Sequence, residues 1–430
     1  MSHTRTSGHR TAEPGGRGAD AAPRQSSGRP TPRQPKARPP SPRQPKAQPP
    51  SARPPSATAR GVALEALARI DEGAYANLVL PGLLARSGLS RRDRAFATEL
   101  TYGTTRMRRA CDWLVDAHLT RPVEPVVRAA LRLGAYQLAM AGTPAHAAVS
   151  ETVDETPKRA RGLVNAVLRK VATVAPRPWP DVATRLSYPD WVVERLVADL
   201  GGANALAALT QMNEAPPVTE REDGYIQDMG SQQVSELVGV ATGDRVADLC
   251  AAPGGKATLM ASSPEAPALV VGADIRPARA ALVRGHARKL ALENLATVVA
   301  DGRRAPLRSG SLDAALVDAP CSGLGVLRRR PDARWRIEPA DVERLARLQR
   351  QLLEEAAGLV RLGGTVTYSV CTLTSAETLR VDEWLVSAHP ELVAAPVPGP
   401  PWARLGRGAL LVPQAAGTDG LYLLRLSKAR

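Results

Sequence analysis

Between Thr58 and Val174 apolar residues recur at three- and four-residue spacing, with few β-branched runs. Leu64, Leu67 and Ile70 share one helical face, as do Val126, Ala130, Leu133 and Leu138 further on. That pattern predicts a small all-helical domain. A Pro-rich connector, Pro176 to Pro180, leads to a second helical stretch from Trp191 to Met212, interrupted at Gly201-Gly202. From about Arg245 the period changes, and RVADL, ALVVGADI, ATVVAD, LDAALVDAP and GTVTYSVC read as short buried strands. A helix over 341–360 carries Val342, Leu345, Leu348, Leu352, Ala356 and Leu359 as its core stripe. Strands alternating with helices imply an α/β fold, an open parallel sheet covered by helices on both faces. The expected divisions are a tail (1–57), a helical domain (58–174), a helical connector (175–235) and the α/β domain (236–430).

The charge is unevenly spread. The 430 residues hold 57 Lys and Arg against 42 Asp and Glu, a net +15 that favours a polyanionic partner. Residues 1–57, with eleven basic side chains, two acids and 13 prolines, account for +9 of it. The near-repeat PRQPKARPP and PRQPKAQPP in this arm is too short and polar to build a solenoid, and the arm reads as disordered. Its basic charge offers sequence-independent attraction to phosphates, or none beyond solvation. Basic residues also cluster at Arg91, Arg92, Arg94, Arg106, Arg108 and Arg109, and at Lys158, Arg159, Arg161, Arg169 and Lys170. Each cluster is either an RNA footprint or a solvated helix face. No apolar run is long enough to span a membrane, and no apolar core of a signal peptide follows the N-terminal cations. Four cysteines without a CxxC pair argue against a disulfide framework or zinc ribbon and for a reducing, cytoplasmic setting.

In a doubly wound sheet, ligands bind beyond the carboxyl ends of the strands. After the first strand comes the small-residue turn Cys250-Ala251-Ala252-Pro253-Gly254-Gly255-Lys256, whose glycines let a ligand approach the backbone. Asp274 closes the second strand, where a carboxylate can accept both ribose hydroxyls, and Asp301 closes the third, in reach of an adenine edge or ribose. Together they indicate an adenosine-type cofactor, and the missing GxGxxG disfavours a nicotinamide dinucleotide against S-adenosylmethionine. The fourth and fifth strands end in Asp318-Ala319-Pro320-Cys321 and Ser369-Val370-Cys371, which parallel pairing brings to one crevice. A carboxylate and two thiols beside an adenosine pocket invite nucleophilic catalysis, since a thiolate adds readily to an electron-poor ring. Cys111 and Cys250 read as small buried hydrophobes.

DLCAAPGGKA, the two aspartates, DAPCSGLGVLRRRPDARW and YSVCT resemble, in order and spacing, the motif set of RNA cytosine-C5 methyltransferases. The helical region is similar to the RNA-binding domain of the NusB family, and the pairing resembles the bacterial 16S ribosomal RNA methyltransferase family called RsmB or Sun. The resemblance implies an S-adenosylmethionine site lined by Cys250 to Lys256, Asp274, Asp301 and Asp318. It also implies Cys371 as nucleophile, Cys321 in product release and Asp318 in polarising the cytosine. Lys256 and Arg328 to Arg330 are expected to hold thiolate, cofactor or RNA backbone by charge. The expected substrate is 16S ribosomal RNA or its assembly precursor, presented single-stranded or flipped out. No DNA or membrane partner is expected, and the chain is read as a monomer.

Three departures accompany the likeness: Val370 stands where the family usually has threonine, Glu377-Thr378 where it has Glu-Asn, and the stretch from Pro217 to Gln227 is much shortened. The alternatives are an RNA-binding or ribosome-assembly factor without turnover, a transfer-RNA methyltransferase, and a nicotinamide oxidoreductase. Retention of both cysteines and every pocket acid favours the enzyme, and the oxidoreductase gives the thiols no role.

Overall fold

The computed structural model describes residues 58–429 apart from Pro176, so the basic arm lies outside the described residues. The chain from Thr58 onward enters seven α-helices: α1 (Ala59–Asp71), α2 (Ala76–Arg86), α3 (Arg91–Arg106), α4 (Arg108–Asp116), α5 (Pro125–Ala139), α6 (Ala145–Glu155) and α7 (Arg161–Thr173). Their starts are written in the sequence: the Thr58 hydroxyl accepts from Gly61 N at 2.9 Å, and that of Ser90 from Asp93 N at 3.2 Å. Leu64, Leu67, Ala130 and Leu133 are buried in one core, whereas Ile70, Val126 and Leu138 sit at its edge. α5 runs through the centre. A Cβ on Gly134 would lie 2.3 Å from the end of the buried Leu168 side chain, so α5 crosses α7 closely there and any larger residue would displace that leucine.

The connector helices α8 (Val182–Leu186), α9 (Asp190–Leu200) and α10 (Gly202–Gln211) break where expected, at Gly201 with φ +79°. They are more than a linker. Tyr188, Leu196, Leu209 and Met212 share a continuous core with the sheet and its covering helices. After α11 (Met229–Leu237), β1 (Arg245–Asp248), α12 (Gly255–Ala261), β2 (Leu269–Asp274), α13 (Pro277–Lys289), β3 (Leu295–Val299), β4 (Leu312–Asp318), α14 (Pro339–Leu359) and β5 (Val360–Val370) form the parallel half of the sheet. α15 (Leu379–Ala388), β6 (Leu392–Ala394), β7 (Ala403–Leu405), β8 (Gly408–Leu411) and β9 (Leu421–Lys428) follow.

The strand order is β3-β2-β1-β4-β5-β9-β8-β7, with β6 also paired to β9. Ala247 of β1 faces Val271 on one side and Ala315 on the other, so the switch point lies between β1 and β4. The sheet is mixed rather than wholly parallel: β9 pairs antiparallel with β5, and β6 and β8 run antiparallel to β9. β6 and β7 have three residues each and β8 has four, too few to show an alternation. β9 begins as a fully buried apolar run, which periodicity alone does not separate from a helix.

The segment that follows the Cys321 loop clasps the two domains together. The fully buried Arg334 reaches the carbonyl of Ser187 and Oδ1 of Asn213, both at 3.0 Å, while the Trp335 indole donates to the carbonyl of Thr105 at 2.8 Å. From the other side, buried Arg106 donates to the carbonyl of Arg328 at 3.0 Å, and Arg109 bonds Thr184, Tyr188 O and Asp190. Arg106 and Arg109 are therefore internal struts, neither footprint nor solvated face. Arg91, Arg92 and Arg94, like Lys158, Arg159, Arg169 and Lys170, are exposed.

Candidate active site

The turn after β1 caps α12 with Gly254 at φ +118°, where a Cβ would press to 3.1 Å from the backbone of Val283. Arg221, itself buried, donates to the carbonyl of Gly255 at 2.9 Å and to Gln227 at 3.0 Å. Tyr225 packs edge-on against His286, whose Nδ1 lies 2.9 Å from the carbonyl of Pro253. The shortened segment is thus a tight turn, bridged at Glu220 and Ile226, that buttresses the cofactor-side loop.

Asp248 ends β1 in full burial, one oxygen accepting from Cys250 N at 3.2 Å and the other without a partner among the described residues. Burial, reinforced by the charge of Asp318, pushes its carboxyl up to about 7. Lys256 reaches over from α12 and meets Asp318 at 2.8 Å, Nζ to Oδ2. Burial pulls its ammonium down, yet the Asp318 carboxylate more than offsets this and leaves it raised, firmly charged. Asp274 is buried at the end of β2, accepting from Arg276 N at 2.8 Å with Arg279 3.4 Å away. Asp301 is different. Both its oxygens are taken by Arg303, at 2.6 to 3.1 Å, whose hydrogen bonds hold the carboxyl below its usual range.

Cys321 and Cys371 come together with their sulfurs 3.1 Å apart. The hydrogen bond it shares with Cys371, then burial, pushes the Cys321 thiol well up, so it keeps its proton. Cys250 and Cys111 are raised chiefly by burial and have no such partner among the described residues, the setting of an inert thiol.

The two cysteine loops are tied by a residue that sequence reasoning noted only as a neighbour of a departure. Glu377 is fully buried and accepts from Ser322 N at 2.8 Å, Ser322 Oγ at 2.5 Å, Gln349 at 3.0 Å and Thr374 at 2.9 Å. The Tyr368 hydroxyl donates to its carbonyl at 2.7 Å. A carboxylate among small polar residues is the only signal the sequence carries for this hub. Gly325 closes the loop, donating to the carbonyl of Cys371 at 3.0 Å, and a Cβ there would lie 2.2 Å from Gly420 O.

The arginines after Cys321 do not serve as predicted. Arg328 is 1% exposed and donates to Asp419 at 2.9 Å, while Arg329 bridges Asp419 at 2.8 Å and Asp228 at 2.6 Å. Their charge is spent inside the fold, and only Arg330 is exposed.

The donor set suits S-adenosylmethionine: a buried carboxylate at the second strand end for the ribose, a small-residue turn for close approach, and a Lys–Asp pair beyond it. A switch-point sheet with this turn and strand-end acids defines a class I methyltransferase domain, carried behind an all-helical domain.

Known proteins agree. Residues 237–427 match the model of the 16S rRNA methyltransferase RsmB/F family, and residues 57–173 match the NusB family. The chain is 37% identical to ribosomal RNA small subunit methyltransferase B of Thermus thermophilus, over 87% of this chain and 98% of that one. It is 38% identical to the Mycobacterium tuberculosis methyltransferase Rv1407, over 86% and 96% respectively. The crystal structure of PH0851 shares the fold, with a TM-score of 0.73 over 86% of this chain and 99% of that one at 20% identity. The chain belongs to the RsmB/F family of RNA methyltransferases, and its cofactor is S-adenosylmethionine.

Proposed function

We propose that the protein makes 5-methylcytosine in 16S ribosomal RNA through a covalent bond between Cys371 and cytosine C6. The observation that supports this most is the Cys321–Cys371 contact of 3.1 Å beside the Lys256–Asp318 pair. Cytosine C5 is a weak nucleophile. Addition of the Cys371 sulfur at C6 turns the ring into an enamine-like species whose C5 can take up a methyl group. Asp318, one oxygen held by Lys256, accepts from the cytosine amino group, and from N3 once that nitrogen has taken up the proton given up by the Cys371 thiol, and so favours that addition. S-adenosylmethionine, when bound, supplies an electrophilic methyl on a sulfonium. The backbone from Cys250 to Lys256 would hold it, Asp274 would accept from its ribose, and Asp301, already paired to Arg303, would hold its adenosine end. After methylation the C5 proton passes to water, its electron pair re-forms the C5–C6 double bond, the C–S bond breaks with its electrons returning to Cys371, which takes back the N3 proton, and Cys321 assists this release.

The name of the Thermus thermophilus relative supports small-subunit RNA as substrate, and the cytoplasm, where that RNA is made and assembled, as the site of action. Bisulfite sequencing of total RNA with and without the gene tests the reading. One protected cytosine of 16S RNA should be lost in the deletion strain. An unchanged 16S profile refutes it, and a lost site in transfer RNA redirects it.

A further inference from the structure

We propose that the seam between the helical and catalytic domains holds an unpaired base of the RNA substrate, outside the methylation site; this rests on the reading of the chain as an RNA methyltransferase. A cavity of about 200 Å³ opens there, between α1, α3 and α5 on one side and Asp332, Trp335 and Arg336 on the other. It is smaller than the roughly 300–1,000 Å³ of a drug-sized site and suits one flat ring. Leu67 and Ile70 give it an apolar wall.

Two of its side chains have unused capacity. Thr104 is 1% exposed, and its hydroxyl has no partner among the described residues. Its neighbours on α3 behave otherwise: Thr98, Thr101 and Thr105 each donate to the carbonyl four residues back, at 2.7 to 2.8 Å. A buried hydroxyl that makes neither this local bond nor another costs free energy unless a ligand completes it. Arg108 makes no hydrogen bond among the described residues. Its guanidinium lies 5.7 Å from the Trp335 ring, with the nearest carboxylate, Asp71, at 3.7 Å. Arg132 beside it is saturated by Asp112 and Asp71, at 2.8 to 2.9 Å.

The charges decide the class of ligand. Asp71 and Asp332 line the cavity together with Arg108, Arg132 and Arg336, a mixture that disfavours a bare anion and suits a neutral group with donors and acceptors. A nucleobase is such a group. Unpaired bases stack on aromatic rings and on arginine planes, and their edges accept or donate to a hydroxyl. Occupied in this way, the seam lets the helical domain read RNA at a fixed place relative to the catalytic crevice, because the same clasp ties both.

The test uses the full chain, full-length 16S RNA transcribed in vitro, and the variants Thr104→Val and Arg108→Gln. Thr104→Val removes a hydroxyl that bonds nothing among the described residues, so a purely structural threonine predicts unchanged or raised Tm and unchanged RNA binding. We expect each variant to weaken filter binding of the RNA by roughly five- to tenfold and to raise KM to match, with kcat and cofactor affinity unchanged. Ultraviolet irradiation of the wild-type complex should attach a nucleotide to the peptide holding Trp335, and Arg108→Gln should lose it. Unchanged affinity in both variants, or a Trp335 adduct formed as well by free AMP or CMP as by RNA, overturns the proposal. Filter binding and cross-linking need no turnover, so they report on the seam even if 16S RNA proves not to be methylated.

Discussion

The parallel and antiparallel halves of the sheet divide the labour. Every group proposed to react or to hold the cofactor stands at the carboxyl end of β1 to β5, in the loops that follow them or, for Gly255 and Lys256, in the first turn of α12. The antiparallel half offers none. It instead supplies Asp419, which neutralises Arg328 and Arg329, and Gly420, whose N–H holds Gly325 O at 2.8 Å. One half brings chemistry to a crevice by a general rule of sheet topology, and the other fixes the Cys321 loop through contacts between residues distant in sequence. Strand ends therefore predict where a reaction happens, whereas the rigidity of the reacting loop depends on residues far away in sequence.

That division can be probed from either side, beginning with the strongest effect. Cys371→Ala should abolish methyl transfer while leaving cofactor affinity within about twofold, measured by transfer of labelled methyl to RNA and by calorimetry. Retained transfer would remove Cys371 from the chemistry. Next is the tie between the loops. Glu377→Ala leaves two N–H and two O–H donors without their acceptor in full burial, costing a few kcal/mol. The variant should lower Tm and reduce kcat at least roughly tenfold with the cofactor still bound. An unaltered kcat would show that the loops hold their geometry without it.

A smaller effect comes from Asp248. Its carboxyl titrates near 7 in the folded chain, above the ordinary value of 3.8. The folded state thus holds a proton that the unfolded chain releases earlier. The resulting stability is full below the ordinary carboxyl range and is lost as pH rises through about 7. Asp248→Asn removes this titration. The difference in Tm, variant minus wild type, should grow in the variant's favour from about pH 5 to about pH 8. A difference independent of pH would mean that the carboxyl is charged throughout.

The sequence was most legible where function follows from position in a strand. Asp274, Asp318, Cys321 and Cys371 could be placed because five buried apolar runs announce parallel strands, and the residues after each run share one edge. The arginines of RRRPDARW misled, since a charge run looks the same whether it faces RNA or carboxylates ninety residues on, as Arg328 and Arg329 do with Asp419. The same holds for Arg106, whose partner lies in the catalytic domain, and for Arg109, whose partners lie in the helical connector. Glu377 was seen but not understood, because its role exists only once Ser322, Gln349 and Thr374 have converged. The short strands β6 to β8 lack the length in which a period can appear.

The central claim is the covalent Cys371 route with Cys321 releasing the product, and the most direct measurement is a denaturing gel of Cys321→Ala incubated with 16S RNA and S-adenosylmethionine. A retarded protein–RNA band should accumulate, and it should vanish when Cys371→Ala is added to the same chain. Absence of the band while Cys321→Ala still methylates the RNA, or its persistence in the double variant, would contradict the account.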